Sequence, residues 1–170
     1  MQPVVTLKSE RLELVPSSPS ISRAAPEDRI ALGEMLNCAI SDRWPAELIA
    51  RELEPVADQV EDDPDQGVWT IWYAVDREEH VLVGNVRFAS PPSAGEVEVI
   101  YAMADDMYGR GYATEAVASV CGWALGQSGV NCVYAMVNPE NAGAIRVLEK
   151  AGFAKSTTQT PGEQRYELSA

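Results

Sequence analysis

The sequence predicts a single domain of the α+β (mixed α/β) class, and three features of the chain carry that expectation. Two amphipathic helical stretches come early, a series of β-rich runs follows, and strand and helix then alternate to the end. That order implies a central, twisted, mostly antiparallel sheet of about seven strands flanked by about four helices. At 170 residues, with 46% hydrophobic and 23% charged residues, residues 1–170 suffice for one domain with its own core.

Thr6 to Val15 ends in alternating apolar and polar residues, which reads as a strand, and Pro16 to Pro19 break it. Between Pro26 and Asn37, Ile30, Leu32, Met35 and Leu36 fall at helical spacing. A second helix spans Pro45 to Val60, with Leu48, Ile49, Leu53 and Val56 on one face, and Pro55 kinks or divides it. After Asp63 to Gly67 the period changes. Val68 to Val75 and Val81 to Phe88 are β-rich and joined by the short charged segment Asp76 to His80, a hairpin. Glu96 to Met103 is a further strand, with Val97, Val99, Tyr101 and Met103 on one face and Glu96, Glu98 and Ile100 on the other.

Ala113, Ala116, Val117, Val120, Cys121 and Ala124 mark one face of the next helix, which ends near Gly126 to Gly129. Val130 to Val137 is a strand. Asn138-Pro139 caps and starts a helix running to about Lys150, with Gly152 at its C′ position. Phe153 to Thr157 and Arg165 to Leu168 close the sheet as a final hairpin.

The formal net charge of −13 argues against nucleic-acid binding, which needs clustered cations, and against anionic membranes. Nine of the acids lie between Asp42 and Asp65, a solvated helix face or a mouth that attracts a cationic substrate. Three cysteines, Cys38, Cys121 and Cys132, lack C-x-x-C spacing, so neither a disulfide framework nor a zinc site is implied and no metal is expected. With no apolar leader and no run of membrane-spanning length, the expected location is cytoplasmic.

The chemistry gathers at Met107-Tyr-Gly-Arg-Gly-Tyr-Ala-Thr-Glu-Ala-Val117. Glycines on either side of Arg110 immediately precede a helix, so backbone N–H groups and the positive end of the helix dipole face one point, suited to an anion. The pattern is neither the P-loop nor G-x-G-x-x-G. By itself it is equally consistent with a tight turn that binds nothing.

A strand ending at Met103, then Tyr-Gly-Arg-Gly-Tyr-Ala-Thr-Glu-Ala, then a strand, then Asn138-Pro-Glu-Asn-Ala-Gly-Ala-Ile-Arg-Val-Leu-Glu-Lys-Ala-Gly-Phe153: this combination resembles the GNAT N-acetyltransferases. Thr6-Leu-Lys-Ser-Glu-Arg-Leu-Glu-Leu14 and the Arg-Val-Leu-Glu-Lys-x-Gly-Phe ending are similar to the subgroup related to ribosomal-protein-alanine acetyltransferases. The resemblance covers nearly the whole chain and is weakest from Ser17 to Asp65. It implies acetyl-CoA as acyl donor, bound by residues of about 95–157, with acceptor-side helices at about 17–65.

The family's loop, Gln/Arg-x-x-Gly-x-Gly/Ala, maps onto Tyr108, Gly109, Arg110, Gly111, Tyr112 and Ala113, with Thr114 following, and implies a CoA pyrophosphate site there. Tyr108 departs from the usual Gln or Arg, and Arg110 is the expected substitute donor. Tyr101, Ala102 and Met103 are implied to pair with the pantetheine arm, and Asn141 to hydrogen-bond it. Ala144 stands at a common Ser position, and Leu148 at the place of a tyrosine general acid in many relatives.

An alkyl amine must lose a proton before it attacks a thioester, so direct transfer needs a base. No cysteine lies in a nucleophile motif, which disfavours a covalent route. Glu98 is the leading base, because relatives often carry a Glu on this strand, and Glu96 is second. The alternative for each is a surface carboxylate on an outer stretch of strand, and it weighs more for Glu96. Tyr101, Tyr108 or solvent could protonate the thiolate. His80 reads as a solvated loop residue. Trp44 and Trp72 are candidates for lining an acceptor pocket, against the alternative that aromatics fill the core.

The expected activity is acetyl-CoA-dependent acetylation of a primary amine, of a small molecule first and of a protein N-terminus second. A non-catalytic acyl-CoA-binding or sensor protein is the reading from another class, encouraged by Tyr108, Ala144 and Leu148. A homodimer is compatible with all three.

Overall fold

The structure is a computed structural model describing residues 5–170, apart from the side chains at 158 and 159. Its centre is an eight-stranded sheet ordered β1-β2-β3-β4-β5-β6-β8-β7. The strands are β1 (Leu7–Lys8), β2 (Leu12–Pro16), β3 (Ile71–Asp76), β4 (Val81–Phe88), β5 (Glu96–Met103), β6 (Cys132–Val137), β7 (Ala154–Thr160) and β8 (Glu163–Ser169). Six α-helices accompany them: α1 (Pro19–Glu27), α2 (Arg29–Leu36), α3 (Glu47–Ala50), α4 (Leu53–Asp62), α5 (Tyr112–Leu125) and α6 (Ala142–Lys150).

The α+β class and the mostly antiparallel sheet are as expected, and the counts of seven strands and four helices rise for local reasons. Thr6 to Val15 is two strands because a tight turn at Ser9, whose N–H donates to the Leu12 carbonyl at 2.9 Å, folds β1 onto β2. Pro16 to Pro19, expected as a break, launches α1. The Ser18 hydroxyl accepts from the Ile21 N–H at 3.2 Å, and Pro19 takes a position whose N–H would be unpaired anyway. The expected helix over Pro45 to Val60 is divided into α3 and α4 ahead of Pro55, which then falls in the first turn of α4, where a missing donor costs nothing.

Each face of the sheet has its own packing. On one, α5 lies across β2, β4, β5 and β6, and its Trp123 meets Trp69 and Trp72 at ring-centroid distances of 4.9 and 5.0 Å. On the other, Trp44 packs against Tyr73 at 6.1 Å and donates from Nε1 to Asn85 Oδ1 at 2.7 Å. Directly paired residues share a face, so the Asn85–Ala102 and Arg87–Ile100 pairs put Glu96 and Glu98 on the Trp44 side. Tyr101, paired with Val86, faces α5 and α6.

One irregularity positions the site. β5 runs antiparallel to β4 from Val99 through Met103, but its parallel pairing with β6 covers only Glu96 to Glu98 against Cys132 to Tyr134. Beyond that point β6 stays with β8 as far as Val137. The sheet therefore opens as a V between β5 and β6, leaving one backbone edge of β5 unpaired in the middle of the sheet.

Candidate active site

A cavity of about 830 Å³ fills the V and extends between the start of α5 and the flank of α6. Tyr101, Ala102 and Met103 form one wall, and Ala135, Met136 and Val137 the other. Tyr108, Gly109, Gly111, Tyr112, Ala113, Thr114 and Asn141, all expected at a cofactor, line it as well. Its charged lining consists of Arg146 and Lys150, one turn apart on α6, with no acid among the described residues. In a chain of net charge −13, that composition selects for an anion.

Local conformation explains the cradle. Gly109 and Gly111 have φ of +82° and +80°, the left-handed region that a side chain disfavours. A Cβ on Gly109 would enter open space, so its role is to shape the turn. The helices α1, α2 and α6 begin with side-chain caps from Ser18, Asp28 and Asn141. By contrast α5, at 14 residues the longest helix among the described residues, begins at Gly111 with no side-chain cap, as do α3 and α4. Its first N–H groups are left free for a ligand.

Arg110 is absent from the cavity lining; its guanidinium lies by the Tyr112 hydroxyl instead. Behind the cradle, that hydroxyl donates to Asp76 Oδ2 at 2.6 Å. Burial raises the Asp76 pKa, but the N–H groups of Glu79 and Glu78 and the Tyr112 hydroxyl outweigh it and hold the carboxyl below its usual range. Arg11 lies over the Tyr112 ring at 4.5 Å and is paired with Glu115 at 2.8 Å. Sequence reasoning passed over Glu115, in the first turn of α5, and over Arg11 and Asp76, which come to the loop from the β1–β2 turn and the end of β3 with no local spacing to join them.

Asn141 accepts the Ala144 N–H on its Oδ1, at 3.1 Å, and lines the cavity. Tyr101 donates to the Ala144 carbonyl at 3.2 Å, and burial above all pushes its pKa up to about 12, so it remains protonated. Leu148 is fully buried.

The opposite face carries the two candidate bases, at the neck where β5 and β6 still pair; neither lines the cavity. Glu96 is held by Arg165, 2.6 Å away, and Arg165 also binds Glu167 at 2.7 Å and covers the Tyr134 ring at 3.9 Å. Glu98 makes no ion pair among the described residues. Burial first, and the charge of Glu163 second, raise its pKa against the pull of Arg87 and Arg165.

Trp44 and Trp72, expected at an acceptor pocket, belong to the core: their exposures are 1% and 0%, and neither lines the cavity. Their N–H groups are already satisfied, by Asn85 and by the Val68 carbonyl at 2.8 Å. Ala46 and Leu48, at the start of α3, line the cavity instead, and Leu48 stands 41% exposed.

The family model for the acetyltransferase (GNAT) domain matches residues 22–154. The chain is 25% identical over 152 residues to the uncharacterized N-acetyltransferase YjdG of Bacillus subtilis (strain 168), covering 88% of this chain and 90% of that protein. Among solved structures, the fold is similar to that of the ribosomal-protein-S5-alanine acetyltransferase from Vibrio fischeri, with a TM-score of 0.66 at 15% identity over 97% of this chain and 96% of the other. It is also similar to Mycobacterium smegmatis RimJ in complex with CoA-disulfide, with a TM-score of 0.61 at 17% identity over 98% and 87% of the two chains. A single family model thus embraces α5, both strands of the V and α6, and the chain belongs to the acetyltransferase (GNAT) domain family.

Proposed function

We propose that this protein transfers an acetyl group from acetyl-CoA directly to a primary amine, foremost that of a small cationic molecule. The observation that carries the reading is the V between β5 and β6, continuous with an uncapped glycine-started helix and lined by two cations and no acid among the described residues. When bound, acetyl-CoA supplies an activated acyl thioester. The residues fit it in three places: the N–H groups at the start of α5 for the pyrophosphate, the free edge of β5 at Tyr101–Met103 for the amide-bearing arm, and the Asn141 amide beside that arm.

On the acceptor side, Glu98 is the proton acceptor. Glu96 is committed to Arg165, whereas Glu98 makes no ion pair among the described residues and its raised pKa brings it closer to the amine it must deprotonate. It would act through a water chain, because it lies at the neck of the V and outside the cavity. Glu163 and Glu167 on the same face favour an incoming ammonium group. Holding amine and thioester together supplies much of the remaining acceleration.

The test is release of the CoA thiol from acetyl-CoA over a panel of polyamines, aminoglycosides and peptides with free N-termini. Saturable turnover with a small cationic amine is the expected result. Turnover confined to peptides would replace the acceptor by a protein N-terminus, and CoA binding without turnover on any amine would make the protein a binder.

A further inference from the structure

We infer that Arg11, held by Glu115, is the positioning residue of the α5 cradle: a clamp from the β1–β2 turn that fixes the peptide groups meant for the donor's phosphates. The inference rests on the donor-site reading above. Arg11 meets the cradle from behind at Arg110, Tyr112 and Glu115. Its Nε donates to Glu115 Oε1 at 2.8 Å, its backbone N–H donates to Oε2 of the same carboxylate at 2.7 Å, and its Nη1 donates to the Arg110 carbonyl at 2.8 Å. The Ser9 hydroxyl also donates to Glu115. The guanidinium plane covers the Tyr112 ring, and Nη2 lies 3.3 Å from where a Cβ on Gly111 would be.

This geometry separates the two ends of the 110–111 segment. The Arg110 carbonyl is tied back to Arg11, so the peptide following it cannot rotate without breaking a charge-assisted bond. Its N–H and those of the next residues stay aimed at the cavity that Arg11 itself does not line. Glu115 belongs to the first turn of α5, so strand turn, loop and helix start become one rigid unit. Burial raises the Glu115 pKa, but the hydrogen bonds from Ser9 and Arg11 outweigh burial and keep the carboxylate ionised, as an anchor for Arg11 must be. Two separate nitrogens of one planar fork hold Glu115 and the Arg110 carbonyl at a fixed spacing, which the single nitrogen of a lysine ammonium does not reproduce.

The experiment titrates CoA and, separately, pantetheine, which lacks the phosphates, into the full-length protein and into Arg11→Gln, Arg11→Lys and Glu115→Gln, with the thermal midpoint of each unliganded chain recorded. Expected are Kd values for CoA about tenfold weaker in all three variants, with Kd for pantetheine unchanged. Equal weakening of both ligands would show general damage and overturn the clamp. Full CoA affinity in Arg11→Lys would reduce Arg11 to a charge and overturn it too. A wild-type chain that binds pantetheine and CoA equally well would remove the phosphate site itself, and one that binds neither would overturn the donor-site reading.

Discussion

Along the wall from Gly109 to Lys150 the cavity is lined by backbone, small side chains and two cations, while the face bearing Glu96, Glu98, Glu163 and Glu167 is crowded with carboxylates. In the proposed reading the first region recognises through peptide N–H groups, whose direction glycine conformation and the inferred clamp behind them set. Tyr108, Ala144 and buried Leu148, which the resemblance marks as departures from the common family pattern, leave the cavity open. The second, in the same reading, works through the ionisation of particular carboxyls, with ion pairing deciding which of them is free. Arg165 takes Glu96 and leaves Glu98.

The largest effect should therefore come from the acid face. Glu98→Gln should lower kcat/KM for the amine by about a hundredfold or more, while CoA affinity measured by calorimetry stays as in the wild type. Because the base works ionised, wild-type rate should climb with pH through a pKa above the ordinary carboxylate value, and the variant should lose that limb. Stability should move the other way. A carboxyl whose folded pKa is raised binds its proton more tightly when folded, so its contribution declines as pH rises from the unfolded to the folded value. Glu98→Gln should melt at or above the wild type at pH 7, and the difference should close in acid.

On the donor side, Gly111→Glu should weaken CoA by roughly ten- to a hundredfold, since a left-handed side chain costs about 1–2 kcal/mol and the new side chain would meet Arg11 Nη2, 3.3 Å from the Cβ position, and draw it from the Arg110 carbonyl. Calorimetry checks this against an acceptor-side proton step that should be untouched. Arg146→Ala and Lys150→Ala, on an exposed helix flank, should each weaken CoA only about two- to fivefold. That loss should fade at high salt in a titration series. Tyr108→Gln, an exposed ring at the cavity edge, should leave CoA affinity intact or strengthen it; a large loss would show that side chains count on this wall too.

The same contrast explains what the sequence disclosed. Glycine spacing, the strand before it and the helix after it are local patterns, so the cradle, β5, α5 and the final hairpin could be read from periodicity and motif. The α1 helix could not, because Pro16 to Pro19 look like a breaker until Ser18 is seen as a cap. The Arg11–Glu115 and Tyr112–Asp76 contacts span different strands and α5, and no local pattern predicts them. Trp44 and Trp72 misled for a related reason: an aromatic reads the same in a pocket and in a core until its neighbours Asn85 and Trp123 are known.

The most direct test of the account is the backbone amide spectrum of the 15N-labelled protein titrated with CoA. The account predicts saturable shifts largest at Gly109–Thr114 and along Tyr101–Met103, with the Glu96 and Glu98 amides moving far less. Saturation with the largest shifts away from the start of α5, or no shifts at all, would contradict it.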